Sequence, residues 1–192
     1  LFLLKKYPDY IFNFEGGVKY AWMKEYFPSE YEQLKAFVRS GRWHISGSSW
    51  EASDVLVPSV ESSIRNILLG QEYYRKEFGT ESTDIFLPDC FGFGWTLPTI
   101  AKHCGLIGFS SQKLDWRNHP FMLGLWKGID GSSIMLAHGY DYGKRWNNID
   151  LSEDKELLGL TKRTPLNTVY RYYGTGDTGG SPSIGSVSSV EK

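Results

Sequence analysis

Residues 84–105, DIFLPDCFGFGWTLPTIAKHCG, carry local signals that dictate a strand, a tight turn and a helix in succession. The apolar run 85–87 predicts a buried strand, which ends at Pro88 because proline cannot donate a hydrogen bond to a sheet ladder. Glycines then permit a turn, and the helix predicted over 97–104 has a proline in its first turn and a glycine after its end. Asp89 therefore lies at the carboxyl end of a strand, where it either binds turn amides or belongs to a site.

The same alternation of strand and helix patterns runs along the rest of the chain. Helices are predicted over about 29–40 and 59–76, and further strands over 42–46, 106–111, 133–138 and 168–174. Strands that alternate with helices predict a parallel sheet covered on both faces, and hence the α/β class. The small polar residues after about 182 show no apolar period, so they predict a loop or frayed tail over 184–192 behind a domain over 1–183.

Charge and cysteine content argue against several classes of function. The 21 basic and 22 acidic residues nearly cancel, which predicts neither nucleic acid nor a membrane as partner, and no apolar run approaches the ~20 residues that span a bilayer. Cys90 and Cys104 lack CxxC spacing, so neither a disulfide framework nor a thiolate zinc site is indicated. The chain opens without methionine or a targeting pattern, and we expect it to be a segment of a larger domain.

Polar residues recur directly after the predicted strands. In parallel sheets and barrels the carboxyl ends of the strands gather at one rim, where ligands bind. The pattern therefore predicts a carboxylate-rich cleft at that rim. The residues in these positions are Asp89, Lys113, His138, Asp141 and Asp177, with Glu51 and Asp54 trailing the strand 42–46.

A second glycine-rich acidic turn lies at 172–183, YYGTGDTGGSPS. No helix pattern follows it and it lacks the lysine of a phosphate loop, so it does not fit a nucleotide-binding fingerprint. Asp177 is surrounded by glycines, which is typical of a loop whose backbone approaches a ligand, although a plain turn aspartate has the same local pattern.

Several of these segments together resemble a known family. In chain order they are GRWHISGSSWEASDVLVPSVESSIRN, LPDCFGFGWTLP, SQKLDW and YYGTGDTGG. Over about residues 4–183 the chain resembles the N-terminal catalytic domain of the glycoside hydrolase family 38 α-mannosidases. The most specific segment is LPDCFGFGWTLP.

The resemblance implies a retaining α-mannosidase that acts on α-mannoside glycans, with a seven-stranded parallel β/α barrel and one zinc ion. It implies that Asp89 is the catalytic nucleophile and a zinc ligand, and that Asp177 supplies the acid/base. Phe91 and Lys113 match positions that line the sugar site. His138 and Asp141 are expected to contact substrate from their place after a strand, with a purely structural histidine as the alternative for His138.

The chain also departs from the family pattern. The family's His-x-Asp and His-His-Asp zinc segments have no counterpart here, which leaves Asp89 as the one expected zinc ligand. A single carboxylate does not hold zinc at useful affinity, so we expect the isolated chain to be inactive. An incomplete barrel also has an unpaired sheet edge, so we expect the isolated chain to be marginally stable or to self-associate into a homo-oligomer.

Two other classes of protein are weighed against this interpretation. A metal-dependent polysaccharide deacetylase would use a related barrel, but it needs a His-x-x-x-His pair that the sequence lacks. A carbohydrate-binding module would use tryptophans as stacking platforms and would be all-β, which the predicted helices oppose. The candidate platforms are Trp50, Trp95, Trp116 and Trp126.

Overall fold

The computed structural model of the chain describes residues 1–114, 122–139, 143–162, 168–177 and 180–191. The helices in this part of the chain are α1 (Phe2–Lys6), α2 (Gly17–Tyr26), α3 (Pro28–Arg39), α4 (Val60–Phe78), α5 (Leu97–His103), α6 (Lys155–Thr161) and α7 (Ile184–Val190). The strands are β1 (Phe12–Phe14), β2 (Trp43–Ile45), β3 (Asp84–Phe86), β4 (Gly108–Ser111), β5 (Leu123–Lys127) and β6 (Ser133–His138). A 3-10 turn, Leu151–Glu153, precedes α6. No described helix has both the length and the apolar character that crossing a membrane requires.

The described strands form two sheets. One contains β1 and β2 in parallel, and the other has the order β3-β4-β6-β5. In the second sheet β3, β4 and β6 are parallel, whereas β5 pairs antiparallel with β6. The predicted α/β class is confirmed, and the all-β alternative is wrong because helices cover these sheets. A seven-stranded parallel barrel is not confirmed, since the described residues form two partial sheets and one has an antiparallel edge.

The side chain of Asp84 joins the two sheets at the start of β3. Its carboxylate accepts hydrogen bonds from the Ser46 hydroxyl at 2.8 Å and from the Gly47 N–H at 3.2 Å. The Asp84 carbonyl accepts a further bond from the Ser48 N–H at 2.9 Å. These bonds hold the loop after β2 against β3 where the sheet ladder itself is interrupted.

Local sequence explains the bounds of the long helix α4. Ser59 caps its first turn by accepting a hydrogen bond from the Ser62 N–H, and Gly79 ends it in the left-handed conformation at φ 68°. The predicted helices 29–40, 59–76 and 97–104 and the predicted strands 42–46, 85–87, 106–111 and 133–138 are confirmed to within a few residues.

Two apolar clusters hold these elements together. One lies among the four-stranded sheet, α4 and α5, and the other packs α1 to α4 and α7 around β1 and β2. The second cluster is rich in aromatic rings, with Tyr20, Tyr31 and Tyr74 at its centre and almost no exposed surface. The Tyr74 hydroxyl donates to the Gly47 carbonyl at 3.1 Å, so this core also fixes the loop after β2.

Arg42, directly before β2, binds the N-terminal segment through its guanidinium group. One of its nitrogens lies 2.6 Å from the Leu4 carbonyl oxygen and 3.3 Å from that of Tyr10, and it also donates to the Tyr7 carbonyl. The Arg42 carbonyl in turn accepts from the Phe12 N–H at 3.0 Å. A single residue thus positions both α1 and the start of β1.

The strand predicted over 168–174 is wrong, since the described residues there form no strand. The Gly174 N–H donates to the Lys144 carbonyl at 3.0 Å, in the segment before α6. The Tyr172 ring lies 5.6 Å from the Phe86 ring and covers Gly139, where an added Cβ would come within 1.9 Å of it. Tyr170 packs against Tyr172, and Tyr173 packs against Trp146, so the aromatic rings of this segment find partners without joining a sheet ladder.

The loop or frayed tail predicted over 184–192 is also wrong for most of its length, because α7 occupies Ile184–Val190. Ser183 caps this helix by accepting from the Ser186 N–H, and Val187 is fully buried in the aromatic cluster. Serine hydroxyls bind the helix to the backbone near Trp146. The backbone N–H of Trp146 donates to the Ser186 hydroxyl at 2.9 Å. These contacts hold a helix that has little apolar surface.

Candidate active site

The carboxyl ends of β1, β2 and β3 meet at one cavity of about 650 Å³. The residues that follow these strands, Glu15, Ser46 and Asp89, all line it. The segments 170–175 and 180–182 contribute the remaining wall, together with Asp177. The structure therefore brings the two carboxylates singled out from the sequence, Asp89 and Asp177, to the same cavity.

Asp89 is held at the cavity by an ion pair. The Lys113 ammonium nitrogen lies 2.9 Å from Asp89 Oδ1 and 4.7 Å from the centre of the Phe91 ring. Lys113 follows β4, and its backbone N–H donates to the Ser111 hydroxyl at 3.0 Å. A charge-assisted hydrogen bond of this kind fixes the direction of a carboxylate that remains about half exposed.

The turn after Asp89 depends on Gly92. Its φ of 128° is unfavourable for other residues, and an added Cβ would come within 2.6 Å of the Leu56 Cδ1 atom. The glycine thus lets the loop before α4 pack against the turn that carries Asp89.

Asp177 lies in a tight turn closed by a bridge between Thr175 and Gly180. Its φ of 58° places it in the left-handed region, which few residues other than glycine adopt. The Thr175 hydroxyl donates to the Ser181 carbonyl at 3.0 Å and braces the turn. Aspartate and asparagine adopt this conformation in turns more readily than other residues, so the angle agrees with the predicted turn.

Neither of the other predicted substrate contacts, His138 and Asp141, is among the described residues that line the cavity. His138 ends β6, but its side chain is buried, with 1% of the residue exposed. Its backbone N–H donates to the Met122 carbonyl. Asp141 lies outside the described residues. Of the residues predicted to share one rim, Asp89 and Asp177 line the cavity. Lys113 contacts Asp89 and Phe91, but neither Lys113 nor Phe91 is among the described residues that line it.

Sequence reasoning missed Glu15, a third carboxylate of this cavity. Burial raises the pKa of Glu15, and the nearby Glu51 charge acts in the same direction, against the hydrogen bond and charge of Lys19. The apolar-polar-apolar alternation of 12–14 was the signal that marks Glu15 as a strand-end residue.

The resemblance implies a zinc ion, which needs several donor side chains close together. No group of three or more His, Cys, Asp or Glu among the described residues is arranged to hold a metal ion. Asp89 pairs with the Lys113 ammonium, and burial raises the pKa of the Cys90 and Cys104 thiols. The donors in the described part of the chain do not by themselves fit a zinc site.

Comparison with known proteins identifies the family. The sequence profile of the glycosyl hydrolases family 38 N-terminal domain matches residues 1–190. The chain belongs to this family. It is 37% identical over 185 residues to alpha-mannosidase G of Dictyostelium discoideum, covering 93% of this chain and 17% of that protein. It is 30% identical over 186 residues to human alpha-mannosidase 2C1, covering 94% of this chain and 18% of that protein. This family 38 chain therefore spans less than a fifth of the curated relatives it matches.

Solved structures agree with the fold. An alpha-mannosidase from Enterococcus faecalis V583 superposes with a TM-score of 0.57 at 21% identity, over 70% of this chain and 16% of that one. A 4-alpha-glucanotransferase from Thermococcus litoralis superposes with a TM-score of 0.70 at 15% identity, over 93% of this chain and 29% of that one. The family 38 chain shares an α/β architecture with both.

Proposed function

We propose that residues 1–192 form part of the catalytic domain of a retaining α-mannosidase that cleaves terminal α-mannosides. The observation that carries the proposal is that Asp89 and Asp177 line one cavity in a family 38 chain. Glycoside hydrolysis with retention needs such a pair, one carboxylate as nucleophile and one carboxyl as acid/base, with about 5 Å between them.

In the first step of this mechanism, an Asp89 oxygen attacks the anomeric carbon of the bound mannose. The bond from that carbon to the leaving oxygen breaks, and Asp177 donates a proton to the leaving oxygen. Asp177 then takes a proton from water, which attacks the same carbon and releases Asp89. Two inversions give a product with the α configuration of the substrate.

Lys113 and Phe91 shape the nucleophile's surroundings in this mechanism. The Lys113 ammonium directs Asp89 by holding Oδ1, which leaves the other oxygen for attack. The exposed Phe91 ring gives the sugar an apolar face to lie against. A zinc ion, predicted for the complete enzyme from the family resemblance, would need donors in addition to Asp89.

The test compares two substitutions in the complete enzyme, with Glu61→Gln on the exposed face of α4 as the matched control. Asp89→Asn is expected to remove nearly all turnover, because an amide is a poor nucleophile. Asp177→Asn is expected to lose far more activity on an oligosaccharide than on nitrophenyl α-mannoside, because nitrophenol leaves without a proton.

Two results would overturn the proposal. One is an equal loss for Asp177→Asn on both substrates. The other is a first-formed product of the β configuration, observed by proton NMR during hydrolysis by the wild-type enzyme.

A further inference from the structure

Glu15 occupies the cavity from a different strand than Asp89. It directly follows β1, and its side chain is 18% exposed and lines the cavity. Glu15 and Asp89 thus line the same cavity from two different strands.

The contacts of Glu15 use one of its two oxygens. Oε1 accepts a hydrogen bond from the Lys19 ammonium, which also lies 3.0 Å from Glu51 Oε1. Glu51 in turn accepts from the Ala52 N–H at 2.8 Å, so Lys19 is fixed from both sides. No described residue donates a hydrogen bond to Glu15 Oε2.

Glu15 Oε2 is not among the buried side-chain atoms that lack a partner, so it faces the open cavity, where water or a ligand hydroxyl can donate to it. Burial raises the pKa of Glu15 despite the neighbouring ammonium, so the site has withdrawn the group from water without fully compensating it. Sugar hydroxyl groups are donors that match a carboxylate oxygen, and each such bond to a charged acceptor is stronger than a neutral one.

We infer that Glu15 binds substrate in this cavity, with its second carboxylate oxygen accepting a hydrogen bond from a ring hydroxyl of the mannose. The inference rests on the proposed function, and it assigns to Glu15 a specificity role that the nucleophile and the acid/base do not fill. Lys19 and Glu51 act through Glu15 as positioning residues, because they fix the direction of its carboxylate.

The experiment combines enzyme and substrate changes in the complete enzyme. Wild type, Glu15→Gln and the control Glu61→Gln are assayed on nitrophenyl α-mannoside and on analogues that each lack one ring hydroxyl. Glu15→Gln is expected to lose about ten- to hundredfold in kcat/KM on the parent substrate. For the analogue that lacks the hydroxyl bound by Glu15, the kcat/KM of the wild type is expected to fall by a similar factor relative to the parent substrate. The kcat/KM of Glu15→Gln is expected to fall little further on that analogue, because the hydrogen bond is already lost.

Circular dichroism checks that each variant is folded. Glu15→Asp, which keeps the charge on a shorter side chain, replaces Glu15→Gln if the amide does not fold, and it is expected to show the same pattern with smaller losses. The inference is overturned if, for every analogue, the loss caused by the substitution multiplies the loss caused by the missing hydroxyl. It is also overturned if the variant and the wild type have the same kcat/KM on the parent substrate. In either case Glu15 does not bind a hydroxyl.

Binding of methyl α-mannoside, measured by calorimetry, separates this outcome from failure of the proposed function. A wild-type enzyme that neither binds nor hydrolyses α-mannosides overturns both. A wild-type enzyme that binds and hydrolyses them, with multiplying penalties in Glu15→Gln, overturns the inference about Glu15 alone.

Discussion

Substituting alanine at two helical glycines should change stability in opposite directions. Gly70 lies in α4 against the loop after β2, where an added Cβ would come within 2.2 Å of the Ser48 carbonyl oxygen and 2.4 Å of the Ser49 carbonyl carbon. Gly159 lies in α6, and nothing is within 4 Å of the position of its added Cβ. Both positions are helical, so the intrinsic preference of the helix for alanine is the same at each.

The magnitudes follow from these contacts. Alanine in place of glycine favours a helix by about 1 kcal/mol, and Gly159→Ala should gain that amount. Overpacking costs about 1–3 kcal/mol, and the upper value applies to Gly70 because backbone atoms of Ser48 and Ser49 cannot rotate away. Gly70→Ala should therefore lose about 2 kcal/mol net.

Urea and thermal unfolding followed by circular dichroism measure both changes. For a chain of this size 1 kcal/mol corresponds to about 2–4 °C, so Gly70→Ala should lower Tm by about 4–8 °C and Gly159→Ala should raise it by about 2–4 °C. A Gly70→Ala variant as stable as wild type would refute the close approach of α4 to this loop. Equal losses at both positions would refute the comparison with Gly159.

Three further predictions concern a helix cap, acid stability and the isolated chain. Asp154→Ala should lose about 2–4 kcal/mol in urea unfolding, because it removes the cap of α6 and leaves the buried Trp146 indole N–H without an acceptor; a loss below about 1 kcal/mol contradicts this. Hydrogen bonds from Ser132 and then Thr99 lower the pKa of Asp130 from 3.8 to about 2, so its contribution to stability is present above pH 4 and is lost as pH falls toward 2. The stability difference between wild type and Asp130→Asn should therefore shrink over that range in a pH series of urea unfolding, and a constant difference contradicts it. The isolated chain should not hydrolyse nitrophenyl α-mannoside with added zinc, and turnover comparable to that of an intact family member contradicts this.

The parts of the fold that were predicted correctly are those with a local signal. α4 has a serine cap, an apolar face and a terminal glycine, and β3 is an apolar run stopped by a proline. The patterns failed where distant contacts decide the structure. The aromatic run 168–174 resembles a strand, but its rings find partners on Phe86 and Gly139, and α7 is held by serine hydroxyls that bond to the backbone near Trp146.

The candidate site shows the same division. Asp89 was identified because a proline and glycines mark its turn, and Asp177 because glycines surround it. Glu15 was missed because β1 is three residues long and its partner β2 lies about 30 residues further along the chain. His138 lies at the carboxyl end of β6, yet packing around β6 buries it, which the order of residues in the sequence does not encode.

The bonds from Arg42 to the N-terminal segment have a consequence for how the protein is made. The carbonyls of Leu4 and Tyr10 accept hydrogen bonds from Arg42, which is synthesised 38 and 32 residues after them. At translation rates of about 5–20 residues per second, this leaves them without that donor for roughly 2–8 s. β1 also waits for β2, which directly follows Arg42. β1 is thus paired only after α2 and α3 have been synthesised, so water solvates its backbone before its sheet forms.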